Sequence, residues 1–457
     1  MTTKIFVTDT YRGEKVPFEP ADPSFVTVYC CGPTVYSEPH IGNARAGVVA
    51  DQAVRLLREV YGRDHVRYAR NLTDIDDKII KAAADQDVAI GVITAQATKA
   101  YHDDLAALGC LPPDFEPKAT EHIEGMQAMI GTLMERGFAY AAEGHVLFDT
   151  QAFKGYGGLS RLDRDAMVAG ARVEVAPYKR DPADFVLWKP STDDMPGWDV
   201  PAAWGLEGKG RPGWHVECSA MIETVLGSPI DLHLGGQDLR FPHHENEIAQ
   251  SCCASDLGDV PLARHWMHNG MLRMGAEKMS KSIGNIVRPS ELLIDWHGEV
   301  LRMALLSAQY RQPLEWSDDL LASSKAQLDK FYRAAGDAEP GAVSDGVLAA
   351  LSDDLNTPAA FAALHELREQ AQGGSAEAAS SLRASGQLLG LLYETEEAWF
   401  QGGGSDDDAA RYDALLIERA EARKAKNFAR ADEIRDQLTE EGIIIEDGPQ
   451  GATWRRG

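Results

Sequence analysis

Cysteine is scarce in this chain, with six residues in 457. That is too few for a disulfide scaffold, so a reducing compartment is expected and metal or catalytic roles are favoured. Apolar runs of the ~20 residues needed to span a bilayer are missing, which argues against a membrane-spanning helix. Residues 1–6 lack the apolar stretch and cleavage pattern of a signal peptide, so a cytoplasmic location is expected. Positive charge is in deficit: 45 Lys and Arg face 71 Asp and Glu, for a net charge of −26. The acidity argues against bulk attraction to nucleic acid or anionic lipid but leaves room for a local basic site. There are no internal repeats. What remains is ordinary globular composition, 44% hydrophobic and 25% charged, in a length that suits roughly three domains.

The order of elements indicates a parallel α/β sheet. Phe25-Val26-Thr27-Val28-Tyr29-Cys30-Cys31 is β-branched and aromatic, as a strand requires. From Asn43 to Tyr61, Val48, Val49, Ala53, Leu56 and Leu57 recur at helical spacing. A second strand, Val66 to Leu72, precedes a helix near Asp76. After Pro112-Pro113 and Pro117 the chain reads as an insertion, with a helix near 120–137 and strands around 145–149. A strand at Ile230 to Leu234 and a helix from His243 resume the alternation. Beyond Pro313 the pattern is largely helical to Phe400, and residues 401–408 form the clearest linker.

His243-His244-Glu245-Asn246-Glu247 places His243 and Glu247 four residues apart, on one helix face. A histidine and a carboxylate at that spacing make half a zinc site, but a solvated polar first turn reads the same way. The stretch His215-Val216-Glu217-Cys218 and the Cys30-Cys31 pair offer candidates for the two further ligands that would complete four. Adjacent strand residues face opposite sides, so only one of that pair can point into a given site. Cys252 and Cys253 read as core packing.

His40-Ile41-Gly42-Asn43 lies between the first strand and its helix, where open α/β sheets bind ligands and a helix N-terminus favours phosphate. Far downstream, Lys278-Met279-Ser280-Lys281-Ser282 offers two cations and two hydroxyls beside a glycine, which suits a polyphosphate.

The two motifs together resemble the signature pair of class I aminoacyl-tRNA synthetases. Cys31-Gly32-Pro33-Thr34, Asn71-Leu72-Thr73-Asp74-Ile75-Asp76-Asp77-Lys78, Gly213-Trp214-His215-Val216-Glu217-Cys218 and Phe241-Pro242-His243-His244-Glu245-Asn246-Glu247 are similar to the cysteinyl-tRNA synthetase family, and the similarity runs through Glu446-Asp447-Gly448-Pro449 to the end of the chain. It implies a zinc ion held by Cys31, Cys218, His243 and Glu247, and an amino-acid pocket using Gly32, Thr73 and Trp214. It also implies catalysis by His40, Asn43, Lys278 and Lys281, with ATP met by His40, Asn43 and Lys281. Two departures stand out. The class motif ends in histidine where this chain has Asn43, and the run from Gly197 to Arg211 is longer than usual.

The resemblance further implies a Rossmann-like catalytic core with an inserted subdomain, then a helical bundle and a small C-terminal module. The expected division is core at 1–117, inserted subdomain at 118–199 and core with zinc ligands at 200–262. A region contacting the tRNA stem and carrying the lysine loop follows at 263–312, with an anticodon-binding bundle at 313–402 and a tRNA-recognition module at 403–457. Residues 411–457 hold nine basic and ten acidic side chains, so they carry little of the negative excess. Arg419, Arg423, Lys426 and Arg430 read as one basic helix face, followed by Trp454 and Arg455, a combination suited to the unstacked bases of an anticodon loop. The expected partners are ATP with Mg²⁺, L-cysteine and tRNA(Cys), for a monomeric enzyme. A ligase joining cysteine to an amino sugar would share the core but lack the last module. A zinc-stabilised binding protein without catalysis would not need His40, Lys278 and Lys281.

Overall fold

The computed structural model describes residues 3–170, 176–275, 277–278, 286–401, 406–448 and 451–456. Its centre is a four-stranded sheet of β1 (Val26–Cys30), β2 (Val66–Arg70), β3 (Ile230–Gly236) and β4 (Ala263–Asn269), in the order β4-β3-β1-β2. Every pairing is parallel, with Val28 opposite both Tyr68 and Leu232. All five residues of β1 are buried, as its β-branched and aromatic composition suits: a parallel strand is covered on both faces. Helix α1 (Ile41–Tyr61) makes the crossover from β1 to β2 and buries the predicted face of Val48, Val49, Ala53, Leu56 and Leu57. From β1 the chain moves to β2 on one side and later to β3 on the other. The carboxyl ends of β1 and β3 thus form a switch point, where such sheets open a crevice.

The inserted segment packs helix Ile123–Glu135 on a five-stranded antiparallel sheet. Met126, Ile130, Leu133, Phe148, Leu187 and Trp188 fill the space between them. This sheet includes Trp198–Asp199 and Lys209–Pro212, the latter paired with Phe185–Ser191. The boundary expected at 199 therefore falls inside the sheet, which ends at Pro212.

The chain forms two compact units. The first comprises Met1–Leu321, Asp345–Phe361 and Leu388–Gly390; the second comprises Ala322–Ser344, Ala362–Gln387 and Leu391–Gly457. The helices expected as one bundle over 313–402 are thus shared between them. Within the second unit, helices Asp406–Lys424 and Phe428–Glu440 and the hairpin Ile443–Gly448 with Gly451–Arg456 enclose a small core of Tyr412, Leu416, Ile434, Leu438, Ile443 and Trp454. The linker expected to reach 408 gives way to helix at Asp406. The basic stripe also changes. Lys426 sits in a left-handed turn between the two helices, so Arg419 to Arg430 cannot be one helix face.

In the first unit a buried charge cluster fastens α1 to its neighbours. Asp51 accepts from Arg55 Nε at 2.7 Å, Arg302 and the Leu111 N–H at 2.7 Å. Burial pushes the Asp51 carboxyl up, but the Arg302 and Arg55 guanidiniums outweigh it and hold it below the ordinary range. Asp51→Ala would strand two buried guanidiniums and is expected to cost about 3–5 kcal/mol, read as a lower urea midpoint with unchanged slope. With its folded pKa below the unfolded value, this contribution is complete near neutrality and is lost as pH falls through the carboxylate range.

Candidate active site

A cleft of about 470 Å³ opens at the carboxyl ends of β1, β3 and β4, and Cys31, Gly32, His40, Asn43, Trp214 and Met271 are among its lining residues. Each arrives on a different piece of backbone. Cys31 and Gly32 follow β1 directly, His40 caps α1, and Trp214 opens the helix Trp214–Val225. Gly32 must be glycine for a physical reason: a Cβ there would lie 1.7 Å from the Asn71 carbonyl oxygen. Its N–H donates to Asn71 Oδ1 at 2.9 Å, which seats this turn on the end of β2.

One end of the cleft carries a buried donor cluster. Ligand atoms of Cys31, Cys218, His243 and Glu247 all lie within 4.8 Å of one another. Cys31 Sγ is 3.7 Å from Cys218 Sγ and 3.4 Å from Glu247 Oε1, and His243 Nε2 is 3.1 Å from the same oxygen. Of the adjacent cysteines, Cys31 enters the cluster, while the buried Cys30 faces its neighbour's carbonyl with a thiol pushed up to about 12. Burial also pushes the Cys31 and Cys218 thiols up and holds His243 neutral, at about 3. Two soft sulfur donors, one neutral imidazole and one carboxylate, dry and convergent, are the donor set of a tetrahedral divalent site.

Around this set lie polar residues that spacing alone did not reveal. His233, in the middle of β3, meets Glu247 Oε2 at 2.9 Å, and His244 meets His268 Nε2 at 2.8 Å. Cys31, His233, His244 and Glu247 form a second overlapping group of possible ligands. The available signal was a histidine within the apolar run Leu232-His233-Leu234. Glu245 accepts from the Gly157 and Ser160 N–H groups at 2.9 and 2.7 Å, and Asn246 accepts from Tyr156 at 2.6 Å. The expected polar first turn is thus wholly buried: five consecutive polar side chains each have a partner in the interior. Trp214 stacks on His243 with ring centroids 4.1 Å apart, and His215 Nδ1 lies 3.0 Å from His243 Nδ1. Thr73 donates to the buried Glu217 at 2.9 Å, and its backbone pairs with that of Pro33 and Val35. Trp214 thus stacks on a member of the metal-type cluster, and Thr73 is tied to Glu217, the residue before Cys218.

The nucleotide motif closes on itself. His40 Nδ1 accepts from the Gly42 and Asn43 N–H groups at 3.1 and 3.3 Å, and Asn43 Oδ1 accepts from the His40 N–H at 3.0 Å. This reciprocal cap leaves the imidazole proton on Nε2 and directs the Asn43 amide NH₂ away from the helix. The Ile41 N–H donates to the Val287 carbonyl at 2.9 Å, and that of Ala44 to His40 O. The four leading N–H groups of α1 are therefore spent internally. The expectation that they receive a phosphate directly is corrected: side chains and the residual dipole must do so. Lys278 belongs to the short strand Glu277–Lys278, paired with Leu272–Met274. Lys281 lies outside the described residues.

In the C-terminal module, Trp454 is buried, donates to Asp413 at 2.8 Å and packs edge-on against Tyr412. It is a core residue, which corrects its expected stacking role. Phe428 is the exposed aromatic there, at 63%. Arg430 is paired with Glu418 and Glu433 at 2.8 and 2.9 Å.

Residues 17–326 match the family model of the class I (C) tRNA synthetase catalytic domain. Residues 346–393 match a DALR domain, and 405–455 match the cysteinyl-tRNA ligase anticodon-binding domain. The fold agrees. Methionyl-tRNA synthetase of Mycobacterium tuberculosis superposes with a TM-score of 0.55 at 18% identity, covering 80% of this chain and 89% of that one. An Agrobacterium radiobacter leucyl-tRNA synthetase gives 0.57 at 13%, covering 84% and 85%. Cysteine–tRNA ligases of Parvibaculum lavamentivorans and Caulobacter vibrioides are 55% and 54% identical, over 99% and 100% of this chain and 98% and 99% of theirs. The core is thus that of a class I tRNA synthetase. The chain belongs to the cysteine–tRNA ligase family, and the amino-sugar ligase reading finds no support. Among the described residues, no helix is long and apolar enough to cross a membrane.

Proposed function

We propose that the chain activates L-cysteine with ATP to cysteinyl-adenylate and transfers the cysteinyl group to the 3′ end of tRNA(Cys), acting in the cytoplasm as a monomer. The observation that carries this reading is the buried Cys31, Cys218, His243 and Glu247 cluster at one end of a cleft whose other wall is His40 and Asn43. Cysteine must be told from serine, and shape alone separates such near-isosteres by only about 1–3 kcal/mol. Those four side chains would hold zinc, which when bound supplies a centre that prefers a thiolate to a hydroxyl. Gly32, Thr73 and Trp214 would seat the rest of the amino acid.

Activation is attack of the cysteine carboxylate on the α-phosphorus of ATP. The carboxylate oxygen–phosphorus bond forms, and the bond to the pyrophosphate oxygen breaks. Charge builds on phosphate oxygens, so these residues work by position and electrostatics. His40 would donate through Nε2 and Asn43 through its amide, whose contact does not titrate near neutrality. Lys278 and Lys281 would meet the pyrophosphate oxygens, with Mg²⁺ accompanying the nucleotide. In the second step a terminal ribose hydroxyl of the tRNA attacks the adenylate carbonyl and AMP departs.

The C-terminal module would read the anticodon region, through Arg419, Arg423, Lys426, Arg430 and Arg455, with Phe428 as the aromatic able to stack. The module has its own core, so a chain ending at residue 402 should retain the activation machinery. Cysteine-dependent ATP–pyrophosphate exchange is expected in both full-length and truncated protein, and efficient charging of tRNA(Cys) in the full-length form alone. Absence of exchange in the full-length protein would refute the activity. Equal charging by both forms would show that the module is dispensable.

A further inference from the structure

Arg45 sits on α1 five residues after His40 and is 1% exposed. Burial lowers its pKa to about 10, so it stays charged at neutral pH, and no carboxylate pairs with it among the described residues. A buried cation without an acid partner is costly unless its donors are satisfied otherwise. Here both terminal nitrogens are met by backbone, while Nε is buried with no partner among the described residues. One terminal nitrogen donates to the carbonyls of Gly270 and Met271 at 2.8 and 3.0 Å, and the other to those of Tyr310 and Gln312 at 3.3 and 2.8 Å. The arrangement is tight. The Gly270 N–H donates to Tyr310 O at 2.8 Å, and a Cβ on Gly270 would come within 2.5 Å of the Arg311 and Gln312 carbonyls.

The two clamped segments run straight into the lysine loop's supports. Met271 leads to the strand Leu272–Met274, which pairs with Glu277–Lys278 on one side. Gln312 leads to Leu314–Glu315, paired with the same strand on the other. The far end of the loop returns to α1 as well, where Val287 accepts the Ile41 N–H and Arg288 lies 3.1 Å from Glu38. Both roots of the segment carrying Lys278 and Lys281 are therefore fastened to the helix that presents His40 and Asn43.

We propose that Arg45 is a positioning residue that sets the spacing between the two nucleotide-binding motifs through its fork of backbone contacts. The proposal rests on the activity proposed above. A lysine keeps the charge but can reach at most part of this fork, because its single ammonium cannot span both pairs of carbonyls. Misplacement of about 1 Å can cost about 10²-fold in rate.

The test is Arg45→Lys in the full-length chain, with Arg45→Met beside it. Arg45→Lys is expected to lower kcat for cysteine-dependent ATP–pyrophosphate exchange about 10–100-fold. KM for cysteine and the bound metal content should stay within twofold of wild type. Amide hydrogen exchange over 271–278 should quicken, while that of β1 and β2 stays unchanged. A kcat within twofold of wild type in Arg45→Lys would overturn the proposal, showing that charge suffices. If KM for cysteine rises as much as kcat falls, or if exchange quickens across the whole sheet, the role is general core packing and the proposal also fails. Should Arg45→Lys not fold, Arg45→Met decides by the same readouts. An inactive wild type would instead refute the activity itself.

Discussion

Cys218→Ala is expected to leave the purified protein nearly free of zinc and to lower cysteine activation by at least about a hundredfold. Loss of a mere outer partner of a metal ligand already costs about 10–100-fold in affinity or activity, and here a donor itself is removed. The substitution should not unfold the first unit, because Cys218 is one small side chain in a large core that includes Tyr29, Met221 and Trp266. Elemental analysis checks the first outcome and pyrophosphate exchange the second, with His243→Ala as a companion. Full zinc content in both variants would remove the ligand assignment. Cobalt-loaded protein adds a direct readout. Cysteine should alter its visible spectrum by sulfur-to-metal charge transfer, whereas serine at high concentration should not. Activation of cysteine with an unchanged cobalt spectrum would transfer the selection to Thr73 and Trp214 and leave the metal a structural role.

Lys281→Ala should reduce cysteine-dependent exchange by about 10²–10³-fold, the loss typical of removing one group that stabilises charge in a transition state. Zinc content should remain at the wild-type level, since the clustered ligand atoms come from Cys31, Cys218, His243 and Glu247. The defect should lie mainly in kcat, because the contact strengthens as charge moves onto the leaving pyrophosphate. A loss smaller than threefold would mean that the loop does not reach the reacting phosphates.

How much was legible in the sequence depended on the kind of signal. The parallel sheet was readable because β1, covered on both faces, is rich in β-branched and aromatic residues, and α1 follows it with a clear helical period. His243 and Glu247 were readable because helical spacing alone brings them together. Their meeting with Cys31 and Cys218 joins residues 187 and 216 positions apart, and no local pattern encodes that; residue type offered Cys218 and the Cys30-Cys31 pair among the candidates, and the family resemblance picked Cys31 and Cys218. His233 and His244 escaped because a buried histidine has no periodicity of its own. The basic stripe failed for the opposite reason. Its spacing suited a helix, but the Lys-Asn step at Lys426 and Asn427 takes a left-handed turn followed by a new cap, where Asn427 Oδ1 accepts from the Arg430 N–H. Trp454 was misread because a terminal aromatic beside arginines looks exposed, whereas the hairpin folds it onto Tyr412.

The unusually long run before Trp214 acquires a meaning from the inserted sheet. Ser191 pairs with Lys209 and Trp188 with Pro212, so residues 192–208 begin and end at one closed rung. Within it Trp198–Asp199 pairs with Lys209–Gly210 and Trp204 packs in the insertion's core, so extra length falls in the connections around them. Doubling such a connection costs only about 0.6 kcal/mol in closure entropy. The three residues from Pro212 to Trp214 have no such slack: the Gly213 N–H is bound to Leu187 O at 2.8 Å, and a Cβ on Gly213 would lie 2.0 Å from the Val186 carbonyl oxygen. The closed rung thus separates the ring stacked on His243 from any change of length beyond it.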